Sequence, residues 1–204
     1  MEGKRAVLFD VGNVLIQWDP TRVYRPLFPH EADMDHFLAK VCDPEWNRGI
    51  DAGRPFEEAV RERQREMPEF AELIGLWWSR WEDMVGGEVP GSVALLKQLK
   101  DQGTPLYALS NWSRETFPTA WARFPFLEWF EEKVVSGFVG LAKPDPAIFR
   151  LAIERCGLTP ALTVFIDDSQ PNVDAALGLG FDALLFTGAE RLRADLVERN
   201  FIPR

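Results

Sequence analysis

Four short stretches hold the residues whose types could do chemistry. Asp10 closes the apolar run from Ala6 to Phe9 and leads into Val11-Gly12-Asn13-Val14-Leu15. That pattern is a buried strand delivering one carboxylate into a tight, glycine-assisted loop. Leu109-Ser110-Asn111 ends a second apolar run, Lys143-Pro144 precedes a helical pattern, and Asp167-Asp168 follows Val164-Phe165-Ile166. A carboxylate can attack as a nucleophile, a hydroxyl can bond phosphate oxygens, an ammonium can neutralise charge, and an acidic pair can ligate a metal. Together they read as a phosphoryl-transfer site. Singly, each has a plainer reading: Ser110 as a helix cap, Lys143 as a solvated surface charge, the acidic pair as an N-terminal cap.

These residues need a scaffold that brings distant strand ends together, and the periodicity supplies one. From Gly91 onward helical and strand-like segments alternate, the pattern of an α/β fold in which helices cover both faces of a parallel sheet. Ser92 to Lys100 is helical, Pro105 to Leu109 a strand, and Ser113 a cap for the helix after it. Pro146 to Cys156 is a helix stopped by Gly157, Leu162 to Ile166 a strand, Val173 to Leu179 a helix, Ala183 to Phe186 a strand and Glu190 to Glu198 a helix. Such sheets place ligand sites at the carboxyl ends of their strands, where Asp10, Ser110 and Asp167-Asp168 all fall. Residues 20–87 carry helical patterns with no convincing strand, over Ala32 to Val41, Phe56 to Met67 and Glu69 to Val85. They read as a helical cap subdomain inserted into a core of residues 1–19 and 88–204, with hinges near Gln17 to Pro20 and Gly86 to Gly91.

A chain of 204 residues with 46% hydrophobic and 27% charged residues can bury a full core. Its formal net charge of -9 disfavours nucleic acid and anionic membrane as partners, since both demand basic surface. A small phosphorylated metabolite is still admissible, because a bound cation with a few local Lys or Arg residues can reverse the field inside a cleft. The segment from Met1 to Arg5 lacks the apolar stretch of a secretory signal, no run approaches a membrane span, and Cys42 and Cys156 form no disulfide framework. A cytoplasmic location is the expectation.

The order and placement of the four stretches resemble the haloacid dehalogenase (HAD) superfamily. Phe9-Asp10 matches its first motif, Leu109-Ser110-Asn111 the second, Lys143-Pro144 the third, and Asp167-Asp168 with Asn172 the fourth. The inserted helices resemble the family's first-type cap, and Phe-Asp-x-Gly-Asn-Val is most similar to a bacterial branch that includes glucose-1-phosphate phosphatase. The resemblance implies a Rossmann-like α/β core and a Mg²⁺-dependent hydrolase of small phosphate monoesters, such as sugar phosphates. It implies Asp10 as nucleophile in an aspartyl-phosphate mechanism. Asp10, the Gly12 carbonyl and Asp168 would be metal ligands, with Asp167 either a further ligand or a residue standing behind them. Ser110, the amides of Asn111 and Trp112, and Lys143 would hold phosphate oxygens.

Gly12 departs from the family pattern. Most phosphatases of the superfamily carry there a second Asp that protonates the leaving oxygen; Gly12 keeps a carbonyl and has nothing to titrate. An activated substrate would tolerate the loss, or Asn13, Asp19, water or a cap carboxylate would substitute. Two other readings stand beside the phosphatase: a 2-haloacid dehalogenase using the same carboxylate, and a catalytically weak module that binds a phosphometabolite or a protein. Within the cap, Trp46, Arg48 and Arg54 lie in a loop-like stretch broken by Gly49, Gly53 and Pro55. Arg48 is the candidate substrate contact, against a reading in which Trp46 packs inside and both arginines are solvated. The tryptophans of the 69–85 helix read as core, with Trp78 or Trp81 lining a substrate pocket as the other reading, and neither His30 nor His36 is chosen for catalysis.

Overall fold

Side chains alternate across a strand, and along β1 (Ala6–Phe9) this sends Val7 and Phe9 into one apolar cluster and Ala6 and Leu8 into another. The computed structural model describes residues 4–203. After β1 the chain forms β2 (Ile16–Trp18), then the helices α1 (Thr21–Tyr24), α2 (Glu31–Lys40), α3 (Pro44–Asp51), α4 (Phe56–Glu66), α5 (Ala71–Ser79) and α6 (Trp81–Met84). It continues through β3 (Val85–Glu88), α7 (Ser92–Asp101), β4 (Leu106–Ser110), α8 (Phe117–Arg123), β5 (Glu132–Val135) and α9 (Ser136–Val139). The last elements are α10 (Pro146–Cys156), β6 (Thr163–Asp167), α11 (Gln170–Gly178), β7 (Asp182–Leu185) and α12 (Ala189–Glu198).

The main sheet is parallel throughout, in the order β5-β4-β1-β6-β7. Both its faces are covered, as the wholly apolar and buried central strand β1 requires. Ile148, Phe149 and Ala152 of α10 and Ala176 of α11 close over Ala6, Leu8 and Phe165 on one side. On the other, Leu95, Leu96 and Leu99 of α7 and Leu192 and Leu196 of α12 join Val7, Phe9 and Ile166. That second cluster continues without a break into Phe37, Trp46, Ile50, Phe56, Ile74 and Trp77 of α2 to α5. The Rossmann-like α/β fold expected from the sequence is therefore present. Register sets the site: Phe9 lies opposite Ala108 and Ile166, so Asp10, Ser110 and Asp167 emerge together at the carboxyl edge.

Several local expectations are corrected. The stretch around Trp46 and Arg48 is a helix, α3, because Asp43 accepts the Glu45 and Trp46 N–H groups and Pro44 sits in the first turn; Gly49 lies inside it with open space where a Cβ would be. Residues 20–87 do contain a strand. Val85–Glu88 pairs antiparallel with β2, and Gly86 makes the close approach possible, since a Cβ there would stand 2.7 Å from Gln17. The helix expected from Glu69 to Val85 is interrupted at Arg80, dividing α5 from α6. Ser113 does not cap α8: Thr116 occupies that position, and Ser113 Oγ accepts the Glu115 N–H in the preceding turn. Strand β5 had no counterpart in the sequence reading, because Glu132 and Lys133 leave only Val134 and Val135 as an apolar signal.

Candidate active site

The loop after β1 is held open by one residue in the left-handed region. Asn13 has φ 54, which Asn tolerates better than most residues. Its Oδ1 accepts the Trp18 N–H at 2.9 Å, so its amide nitrogen is the atom available to bond Asp168. Asp10 itself is fixed through its N–H to Ile166 O at 2.8 Å, one residue beyond the strand.

Lys143 arrives from the loop between α9 and α10 and is 1% exposed. Asn111 clamps its backbone with two hydrogen bonds, donating from Nδ2 to Lys143 O at 2.9 Å and accepting the Lys143 N–H at 2.8 Å. Held there, the ammonium bridges Asp10 Oδ1 at 2.8 Å and Asp167 Oδ2 at 2.6 Å. Asp167 Oδ1 in turn accepts from Ser169 N–H and Asn172 Nδ2, both at 2.9 Å. Both oxygens of Asp167 are thus committed to the protein, whereas Asp168 is exposed.

Carboxylate oxygens of Asp10, Asp167 and Asp168 lie within 4.8 Å of one another. Three carboxylates against one ammonium leave an excess of negative charge in a buried place. Burial pushes Asp10 up to about 7; Lys143 opposes this, and Asp167 and Asp168 add to it. Burial and the neighbouring Asp167 also raise Asp168. For Lys143, burial alone would favour the neutral amine, but Asp10 and Asp167 more than offset it and hold the ammonium above its ordinary range. A cluster of hard oxygen donors with unbalanced negative charge is the donor set a divalent cation suits.

Beside the cluster opens a cavity of about 180 Å³, walled by Asp10, Gly12, Asn13, Asn111, Trp112, Lys143, Asp168 and Asn172 from the core and by Asn47, Asp51 and Trp81 from the inserted helices. Ser110 Oγ is buried nearby at the end of β4 and has no hydrogen-bond partner within the protein. A buried hydroxyl without a partner is costly, and a phosphate oxygen would satisfy it.

The sequence-derived set is therefore brought together in Asp10, Gly12, Ser110, Asn111, Lys143, Asp167 and Asp168. Two members behave differently from expectation. The Trp112 N–H already donates to Ser136 Oγ at 2.9 Å, so what Trp112 offers the cavity is its indole rather than its amide. Arg48 stands outside the cavity wall and pairs with Glu45 at 3.4 Å, because it occupies the outer face of α3. Arg54 pairs with Glu62, and Trp46 packs edge-on against Trp77. Trp81 does line the cavity, edge-on against Trp112, while Trp78 stacks on Phe56. Sequence reasoning missed Trp18 of β2 and, on the inserted helices, Asn47 and Asp51. The spacing of four between Asn47 and Asp51, beside the buried pair Trp46 and Ile50, was the available signal once α3 is recognised as a helix.

Parallel-sheet architecture with a lysine-bridged carboxylate cluster at the strand ends defines an α/β enzyme. The chain belongs to the haloacid dehalogenase-like hydrolases, whose family model matches residues 4–180. It is 25% identical over 193 residues to drimenol cyclase drtB of Aspergillus calidoustus, covering 94% of this chain but only 36% of that protein. It is 25% identical over 191 residues to the sesquiterpene phosphatase astK of Aspergillus oryzae, covering 90% of each. A HAD family enzyme of Bacteroides thetaiotaomicron, solved in complex with magnesium and inorganic phosphate, shares the fold with a TM-score of 0.65 at 22% identity, over 91% of this chain and 96% of that one. Among the described residues no helix is long and apolar enough to cross a membrane.

Proposed function

We propose that this hydrolase cleaves small phosphate monoesters with Asp10 as the nucleophile. The observation that carries the reading is the Lys143 bridge between Asp10 and Asp167, set beside an unpartnered Ser110 hydroxyl and an excess of carboxylate charge. One of the relatives, the sesquiterpene phosphatase astK, supports the same chemistry.

In this reading the chain's residues divide the work of positioning and charge compensation that phosphoryl transfer demands. Lys143 holds Asp10 Oδ1, leaving the other oxygen to attack phosphorus, and the resulting aspartyl-phosphate is then hydrolysed by water. Ser110 donates to a phosphate oxygen, and Lys143 offsets negative charge from the same side. Magnesium, held by Asp10, the Gly12 carbonyl and Asp168, would supply further compensation for the phosphate oxygens. Asp167, with both oxygens already accepting bonds, positions Lys143. Residues 20–87 act as a cap on a core of 1–19 and 88–204, and the substrate is a small phosphorylated metabolite enclosed between them.

A screen of phosphorylated metabolites with and without Mg²⁺, with 2-haloacids alongside and Asp10→Asn as control, tests the proposal. Mg²⁺-dependent phosphate release abolished by Asp10→Asn is the expected result. Halide release in place of phosphate release, or turnover that survives Asp10→Asn, would refute it.

A further inference from the structure

Loss of a titratable side chain at Gly12 leaves the leaving oxygen without an adjacent proton donor, and nothing in the local backbone forces that loss. A Cβ on Gly12 would meet no atom within 4 Å, and its φ lies outside the left-handed region. The position could hold a carboxylate and does not. Across the same cavity, helix α3 ends in Asp51, a carboxylate that no described cation pairs.

Asp51 is placed with care. Its Oδ2 accepts from Asn47 Nδ2 at 2.9 Å, and the Ser113 N–H bonds the carboxylate from the core side. The orientation of the Asn47 amide is itself fixed, because Trp77 Nε1–H donates to Asn47 Oδ1 at 3.0 Å and turns the NH₂ toward Asp51. The backbone is tied to the core as well: Ser136 Oγ donates to Asp51 O, and the Phe56 N–H donates to Glu115 at 3.1 Å. Gly137 lets α9 sit directly under this junction, since a Cβ there would stand 2.2 Å from Arg114 N. Two donors leave lone pairs of the carboxylate free for the cavity.

The geometry points to Asp51 as the proton donor and acceptor of the reaction, supplied from the inserted helices in place of the side chain absent at Gly12. This rests on the phosphatase reading above. As Asp10 forms its bond to phosphorus, the bond to the leaving oxygen breaks with its electron pair, and Asp51 gives that oxygen a proton. In the second step Asp51 takes a proton from the attacking water, the bond from Asp10 to phosphorus breaks, and Asp10 recovers its electron pair as free phosphate departs. Burial pushes the Asp51 carboxyl up to about 7, against a smaller opposing pull from Ser113 N–H; that is the range in which an acid can both give and retrieve a proton. The charged groups facing it are Asp10, Lys143 and Asp168 across the cavity and Glu115 from the loop after β4, the last already bonded to Phe56.

The test compares wild type, Asp51→Asn, Gly12→Asp and the double variant Gly12→Asp/Asp51→Asn on p-nitrophenyl phosphate and on an alkyl phosphate, with Asp10→Asn as control. Asp51→Asn is expected to lower kcat on the alkyl ester by about 10² to 10⁴-fold and on the nitrophenyl ester far less, because that leaving group departs without a proton. Gly12→Asp in the Asp51→Asn background is expected to restore much of the alkyl activity. An equal loss on both esters, or no loss on either while Asp10→Asn is inactive, would overturn the role of Asp51 and leave the phosphatase intact. A wild type that turns over neither ester would overturn both.

Discussion

Replacing Asp51 with Asn should separate stability from activity, and the pH dependence gives the magnitude. The folded protein holds this carboxyl at about 7 through burial, against an ordinary value of 3.8. Between those values the folded state keeps a proton that the unfolded chain releases, so stability falls as pH rises through the interval and is level above it. At 1.36 kcal/mol per pH unit the full penalty is about 4 kcal/mol. Asp51 keeps part of its surface open to the cavity, and solvent there reduces the figure to about 1 to 3 kcal/mol. The Asn variant has no such dependence at this position. Any one hydrogen bond lost at the amide costs about 1 kcal/mol, and that offset is constant with pH. Asp10, also raised, titrates in both proteins and cancels in the difference. Urea unfolding in metal-free buffer at intervals from about pH 4.5 to about pH 8.5 should therefore show the variant gaining about 1 to 3 kcal/mol on wild type as pH climbs. Parallel curves, with a difference independent of pH, would refute the claim that Asp51 is a buried proton-binding group.

Lys143→Met leaves Asp10 and Asp167 buried without their shared cation, and should cost about 3 to 5 kcal/mol near neutral pH, shrinking in acid as Asp10 protonates; denaturant melts at two pH values check it. Ser110→Ala removes a hydroxyl that bonds nothing in the protein, so thermal stability should hold or rise slightly while affinity for inorganic phosphate, read by calorimetry, falls. Asn111→Ala deletes both bonds that clamp the Lys143 backbone and should cost about 1 to 3 kcal/mol together with a fall in kcat. Arg48→Ala should leave KM unchanged in the steady-state assay, because the side chain pairs with Glu45 outside the cavity.

Strands that carry chemistry were legible because burial on both sides of a parallel sheet demands short apolar runs, and a polar residue ending such a run is conspicuous. β1, β4 and β6 each end on or just before a residue of the cluster, and α10 lies where Pro146 and Gly157 mark its ends. The inserted helices were less legible. Gly49 and Gly53 imitate a loop in sequence, and only the capping of α3 by Asp43 reveals a helix with Asn47 and Asp51 on its inner side. Strand β3 was hidden because two of its four residues are glycines, of which Gly86 serves close approach to Gln17 rather than any strand propensity.

The sequence by itself determined the α/β alternation, the nucleophile candidate with its lysine and acidic companions, and the absence of a side chain at Gly12, because each depends on residue type at a strand end. The tertiary structure decided how those groups share their bonds. It committed both oxygens of Asp167 to Lys143, Ser169 and Asn172, engaged the Trp112 N–H with Ser136, and turned Arg48 away from the cavity. It also brought Asp51 from a helix some forty residues along the chain into the lining of the cavity that Gly12 shares. Such pairings follow from packing between elements distant in sequence, so spacing along the chain carries no record of them.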